Sequence, residues 1–160
     1  MASSPQPSSR APAASVSPDE LLKLDQQVCF ALAVAARNVI ALYRPILEPL
    51  GLTHPQYLVM LALWERSPLT LREVGRLLSL EPATLSPLLK RLEAAGLVSR
   101  ERHPGDDRAL ALTLTDRGRQ LRQRALEVPP QVVERLGLPV EDLRTLHAAL
   151  TRVIAATTTD

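Results

Sequence analysis

The most reactive side chain that this 160-residue sequence offers is its one cysteine, Cys29. A thiolate attacks peroxides, disulfides and metals, but an unperturbed thiol with a pKa of about 8.5 is only a few per cent ionised at neutral pH. Cys29 lies on a stripe with Ala33, Ala36, Ile40 and Tyr43 at helical spacing. On such a stripe a free cysteine reads first as a small core hydrophobe. To react, it needs hydrogen-bond donors from elsewhere. Its helix is expected to start at Ser17-Pro18-Asp19-Glu20, about three turns upstream, too far for the helix dipole to help. Tyr43 follows 14 residues later, about 21 Å along a straight helix. It cannot touch Cys29 of its own chain unless the helix folds back, whereas in an antiparallel dimer Tyr43 of the second copy could. One cysteine excludes a disulfide framework and a Cys-based zinc site within one chain. His103 and His147 are separate in the pattern, so neither a metal nor a cofactor is expected.

A second chemistry is electrostatic. Net charge is only +2, but Arg66 to Arg124 carries 12 basic and 7 acidic residues, against 7 basic and 10 acidic in the remainder. A basic middle between acidic ends suits an anionic partner. The plainer reading is a compositional preference for Arg, which supplies 17 of the 19 basic residues.

The elements that must position these groups can be read from start and stop signals. Residues 1–17 are Ser/Pro/Ala-rich and are expected to be a disordered tail, not a signal peptide. Ser17 to Glu20 combines a capping box with Pro at the first helical position, opening a long helix that Pro45, Pro49 and Gly51 end. Thr53-His54-Pro55-Gln56 and Thr70-Leu71-Arg72-Glu73 are two further boxes, each heading a short helix. After a turn at Ser79 to Pro82, Leu85, Leu88, Leu89 and Leu92 stripe a third, which Gly96 stops. Pro87 inside it implies a local bend. Leu97–Arg102 and Ala109–Leu114 read as a hairpin with a longer loop over 103–108. Thr115-Asp116 caps another helix, interrupted at Pro129-Pro130. The last, from Pro139, carries Leu143, Leu146, Leu150 and Val153 near the 3.5-residue seam of paired helices.

The expected fold is all-α with a small β-hairpin wing. Residues 53–115 form a winged helix-turn-helix, and residues 18–50 and 116–160 supply dimerisation helices within one domain, 18–160. A helix of this size enters a DNA major groove with its leucine stripe held inward. Thr84, Ser86, Lys90 and Arg91 then reach bases and phosphates. The arm presents Arg100, Arg102 and Arg108, and an Arg at a hairpin tip suits a narrow minor groove. Asp106 or Asp107 can orient that guanidinium by paired hydrogen bonds. The alternative is a solvated hairpin whose charges serve solubility. An apolar first helix and a seam on the last argue for a homodimer on a palindromic site. The longest apolar run, Val28–Ala36, is nine residues, about half a bilayer span. No membrane partner and a cytoplasmic setting are expected.

The segments LDQQVCFAL, YRPIL, THPQYLVMLALWE, LTLREVGRLLSLEPATLSPLLKRLEAAGLVSRER and the DDR of the wing resemble the MarR family. The Asp25–Phe30 motif, Tyr43 and Pro55-Gln56-Tyr57 narrow the resemblance to its organic hydroperoxide resistance regulators, and the lone thiol to their one-cysteine type. The likeness runs from Leu21 to Leu126 without a gap. It implies a dimeric repressor whose Cys29 thiolate is oxidised by organic hydroperoxides, then capped by a small thiol or overoxidised, with loss of operator binding. It also implies that Tyr43 hydrogen-bonds the sulfur across the dimer and that Tyr57 supports the site. Two positions depart from the pattern: His54 stands where a second sulfur-contacting tyrosine is usual, and Ala33 where an aromatic is frequent. A protonated His54 would favour thiolate more strongly than a phenol does, or it is simply exposed in its first turn.

Three functions are weighed. The leading one is the peroxide-sensing repressor. The alternative is a repressor released by a small hydrophobic or phenolic ligand, with Cys29 structural. A thiol peroxidase, the enzyme reading, lacks a resolving cysteine, a catalytic Arg next to the thiol and a thioredoxin-like pattern, so no enzyme is expected.

Overall fold

In the computed structural model, residues 17–103 and 105–158 are described, without the side chains of Pro18, Leu21, His103 and residues 106–109. The tail expected over residues 1–17 lies outside them except for Ser17. Two compact units divide at Val39/Ile40.

In the first, the Ser17 box forms as expected: Glu20 N–H donates to Ser17 Oγ, and Ser17 N–H donates to the Glu20 carboxylate. It heads only α1, Pro18–Leu21, and a single 3₁₀ turn at Leu24–Gln26 follows. Lys23 and Gln27 are extended (ψ 134° and 110°), so the expected continuous helix is broken on both sides of that turn. A new helix, α2, starts at Val28 and runs to Leu47. This corrects the position of Cys29. It is the second residue of a helix, not a residue three turns in. By length and composition alone, Val28–Leu50 is apolar enough to cross a membrane, although Arg37, Asn38 and Arg44 interrupt it. Val28 and Phe30 are exposed.

The second unit is built from α3 (His54–Glu65), β1 (Leu69–Thr70), α4 (Leu71–Leu78), α5 (Pro82–Ala94), β2 (Val98–His103), β3 (Asp106–Leu114), α6 (Asp116–Ala125), α7 (Val128–Leu136) and α8 (Val140–Thr157), after the end of α2. The capping boxes do what their spacing predicts. The Gln56 side chain accepts from Thr53 N–H at 2.8 Å, and Glu73 accepts from Thr70 N–H at 2.7 Å while Glu73 N–H donates to Thr70 Oγ1. Each satisfies amides that a helix start leaves open. Gly75 lets the turn after α4 close: Leu80 N–H donates to its carbonyl at 2.9 Å, and a Cβ there would stand 2.9 Å from Leu80 O. Helix α5 runs unbroken through Pro87. Gly96, left-handed at φ 68°, follows its last turn as expected.

Leu47, Val59, Met60, Leu63, Leu69, Val74, Leu85, Leu89 and Leu92 are fully buried and form the centre of one aliphatic core. The sheet has three antiparallel strands in the order β1-β3-β2, one more than the hairpin reading foresaw. Leu69 pairs with Leu112 and Thr70 with Ala111, which makes β3 central and buries Ala111 as well as Leu112 and Leu114. Period-two spacing predicts Leu110 on one buried face with Leu112 and Leu114, yet it is 58% exposed, beyond the end of β1. The expected long loop is also shorter: His103 pairs with Asp106, with an irregularity after Arg102. Asp106, Asp107 and Arg108 are therefore strand residues.

The start of α6 is welded to the end of α5. Thr115 donates its hydroxyl to Gly96 O at 2.6 Å and accepts from Gly118 N–H at 3.0 Å. The Trp64 indole N–H donates to Gly118 O at 2.9 Å. A Cβ on Gly118 would lie 2.1 Å from Leu97 O, a backbone atom that cannot rotate away. Gly118→Ala is therefore expected to cost roughly 2–3 kcal/mol by overpacking, a fall of roughly 5–10 °C in Tm, measured by thermal unfolding of the purified chain.

Candidate nucleic-acid interface and redox residues

Burial of Leu85, Leu89 and Leu92 turns the opposite side of α5 to solvent. Thr84, Pro87, Lys90 and Arg91 are exposed there, while Ser86 is half-buried. The four expected contacts thus share one helix, with Ser86 the least available. Lys90 and Arg91 lie toward its C-terminal half.

In the wing, Arg102 is exposed on β2. Arg100 is not a free cation. Its Nε lies 2.9 Å from Glu93 Oε1, on the last turn of α5. Sequence reading missed this pair because it counted Arg100 by its place on the arm, and Glu93 follows no motif. The side chains of Asp106, Asp107 and Arg108 lie outside the described residues, so the expected Asp-Arg orientation has no geometry here. No cluster of His, Cys, Asp or Glu suited to a metal occurs among the described residues.

Cys29, in the first unit, is exposed. Its place in the first turn of α2 puts it where amides lack intrahelical partners and the positive end of the macrodipole favours negative charge.

Tyr43, His54 and Tyr57 gather in the second unit. The ring centroids of Tyr43 and His54 are 4.8 Å apart, those of Tyr43 and Tyr57 6.0 Å, and Tyr57 meets Trp64 edge-on at 6.4 Å. His54 is thus half-buried against Tyr43 and not simply exposed in its first turn. Burial raises the Tyr43 and Tyr57 hydroxyls above the usual phenol range, with Tyr43 adding to the effect on Tyr57. Both remain protonated donors at neutral pH. Burial pushes His54 below its ordinary value of 6.5. In the single chain this burial disfavours the charged ring. Trp64 was not singled out from sequence, although its spacing of seven from Tyr57 places it on the same face of α3.

The sign of the His54 shift fixes a stability trend. The unfolded chain takes up this proton at higher pH than the native one, so native stability is complete above about 6.5 and is lost as pH falls through the native value. Denaturant titrations between pH 7.5 and 5 are expected to show this loss in the wild type, and a shallower pH slope in His54→Asn.

Residues 52–110 match the MarR family. The chain is 39% identical over 129 residues to the organic hydroperoxide resistance transcriptional regulator of Bacillus subtilis strain 168, covering 81% of this chain and 88% of that one. Among solved structures it is similar to reduced AbfR of Staphylococcus epidermidis bound to DNA, at TM-score 0.70 and 36% identity over 88% of this chain and 99% of that one. It is also similar to CouR of Rhodococcus jostii RHA1 bound to p-coumaroyl-CoA, at TM-score 0.74 and 26% identity over 87% and 98%. With a helix-turn-helix, a wing and relatives aligned over most of their length, the chain belongs to the MarR family.

Proposed function

We propose that this chain is a cytoplasmic, dimeric, DNA-binding repressor that senses organic hydroperoxides by oxidation of Cys29 and then releases a palindromic operator. The observation that carries the reading is the placement of Cys29: an exposed thiol in the first turn of α2, beside exposed Val28 and Phe30. A thiol kept only as core filler would be buried. The likeness to a hydroperoxide resistance regulator supports the same chemistry.

Dimerisation explains apolar surface that the single chain leaves open. Helix α8 spans 18 residues with none buried, and Leu146, Val153 and Ile154 are exposed on it. We read the apolar surface of α2 as part of the same subunit interface. Two-fold pairing places two α5 helices about 34 Å apart, one DNA turn. Thr84, Ser86, Lys90 and Arg91 contact the major groove, and Arg102 and Arg108, with Asp106 and Asp107, serve the wing.

In the sensing step the Cys29 thiolate attacks the outer oxygen of a hydroperoxide. An S–O bond forms, the O–O bond breaks, and the alkoxide leaves as an alcohol after taking a proton. The product is a sulfenic acid, which a small thiol converts to a mixed disulfide with loss of water. The partner's Tyr43 supplies a phenol donor to the sulfur, and the partner's His54 and the partner's Tyr57 support it. Bulk and lost hydrogen bonds at the seam then disfavour the DNA-bound arrangement.

A second reading, release by a small hydrophobic or phenolic ligand, is favoured by a cavity of about 490 Å³ lined by Tyr57, Leu61, Trp64 and Leu126, with Glu65 and Arg122 among its polar lining. Cumene hydroperoxide separates the two. Addition to the reduced protein is expected to consume one equivalent per chain, add oxygen to Cys29 by mass spectrometry and release DNA in a gel shift. Cys29→Ser should bind DNA and ignore the peroxide. Peroxide-driven release from Cys29→Ser would overturn the sensor, and turnover of many equivalents would point to an enzyme.

A further inference from the structure

We propose that Glu93 and Arg100 form a strut that sets the angle of the wing against α5, making Arg100 a positioning residue for DNA reading, not a phosphate contact. This rests on the DNA-binding reading above.

The location of the pair carries the argument. Glu93 is on the last turn of α5 and Arg100 is the third residue of β2. Arg100 is opposite Leu112 in the sheet, and Leu112 is the residue that β1 pairs with at Leu69. Beyond Thr70–Ala111 the third strand ends, and the hairpin continues as a two-stranded ribbon through Arg102 and Leu110. The ion pair therefore stands where the ribbon leaves the domain. A two-stranded ribbon is strongly twisted and marginal alone, so its direction is set by what holds its base.

The Arg100 stem is held as well. It lines a trough of about 320 Å³ with Leu71, Leu89, Leu110 and Leu112, where the methylenes lie against apolar surface while the head group stays polar. The nitrogen that meets the carboxylate is Nε, the one nearest the stem, so the ion pair fixes the side chain's course and not only its tip. Glu93 is acidic on the element that meets DNA. Near phosphates it would repel unless neutralised, and Arg100 neutralises it. Two residues on, Arg102 is exposed and makes no ion pair among the described residues, and the strut aims the strand that carries it.

The test uses the full reduced chain and a duplex selected with it from a random-sequence pool. Glu93→Ala and Arg100→Ala are each expected to weaken binding about tenfold. The double substitution should be no weaker than either alone, since both remove one device. Neither should change the slope of log K against log salt, whereas Arg102→Gln should lower it by about 1, as loss of a phosphate contact does. Glu93→Gln, which keeps an oxygen in place to face Nε, should restore most of the affinity. A reduced slope for Arg100→Ala with Glu93→Ala unaffected or tighter would make Arg100 a phosphate contact and overturn the proposal. Hydrogen exchange in the DNA-free protein decides the strut even if no duplex is selected, an outcome that would instead count against the DNA reading. Exchange at residues 99–103 should rise in both alanine variants, with the core amides unchanged. Unaltered exchange there would refute the strut.

Discussion

Leu85, Leu89 and Leu92 are sealed in the core, and this one-sided burial decides what α5 can present to the outside. Each buried leucine is worth roughly 1.5–3 kcal/mol. Together they outweigh the cost of about 3 kcal/mol for a proline inside a helix, which is why α5 runs through Pro87. Pro87 itself lies on the exposed side. The same burial fixes the rotation of the helix about its axis, so Thr84, Lys90 and Arg91 face outward.

The second organising constraint is apolar surface with nowhere to go inside one chain. Residues on α2 and the whole of α8 remain open. In the proposed dimer these surfaces close on one another. Redox chemistry and DNA binding would then be coupled because both depend on one subunit arrangement. Burial of His54 against Tyr43 disfavours its charged form, while the two tyrosines supply phenol donors.

Local signals were the most legible part of the sequence. Thr53 with Gln56, Thr70 with Glu73, Thr115 and Gly96 mark helix ends because their chemistry is satisfied within a few residues. The leucine stripe of α5 was equally plain. What failed depended on distant pairing or on weak local preference. Nothing between Leu22 and Gln27 is a strong breaker, so the 3₁₀ interruption left no mark, and with it the position of Cys29 at a helix start was missed. β1 has two residues and exists only because β3 is beside it. Leu110 kept the alternation of a buried strand but lost its cover where β1 stops. The Glu93–Arg100 pair joins two elements whose relative placement no spacing rule encodes.

The indole of Trp64 ties α3 to the first turn of α6 through Gly118, next to the joint where Thr115 grips the end of α5. It is the only tryptophan in the chain, and its ring meets Tyr57 edge-on. Indole emission from this protein therefore comes from one spot, set between the aromatic group and the joint behind the reading helix. Any rearrangement that shifts α6 against α3 must alter the surroundings of that single fluorophore. The fold thus contains its own optical gauge of the joint between α3 and α6.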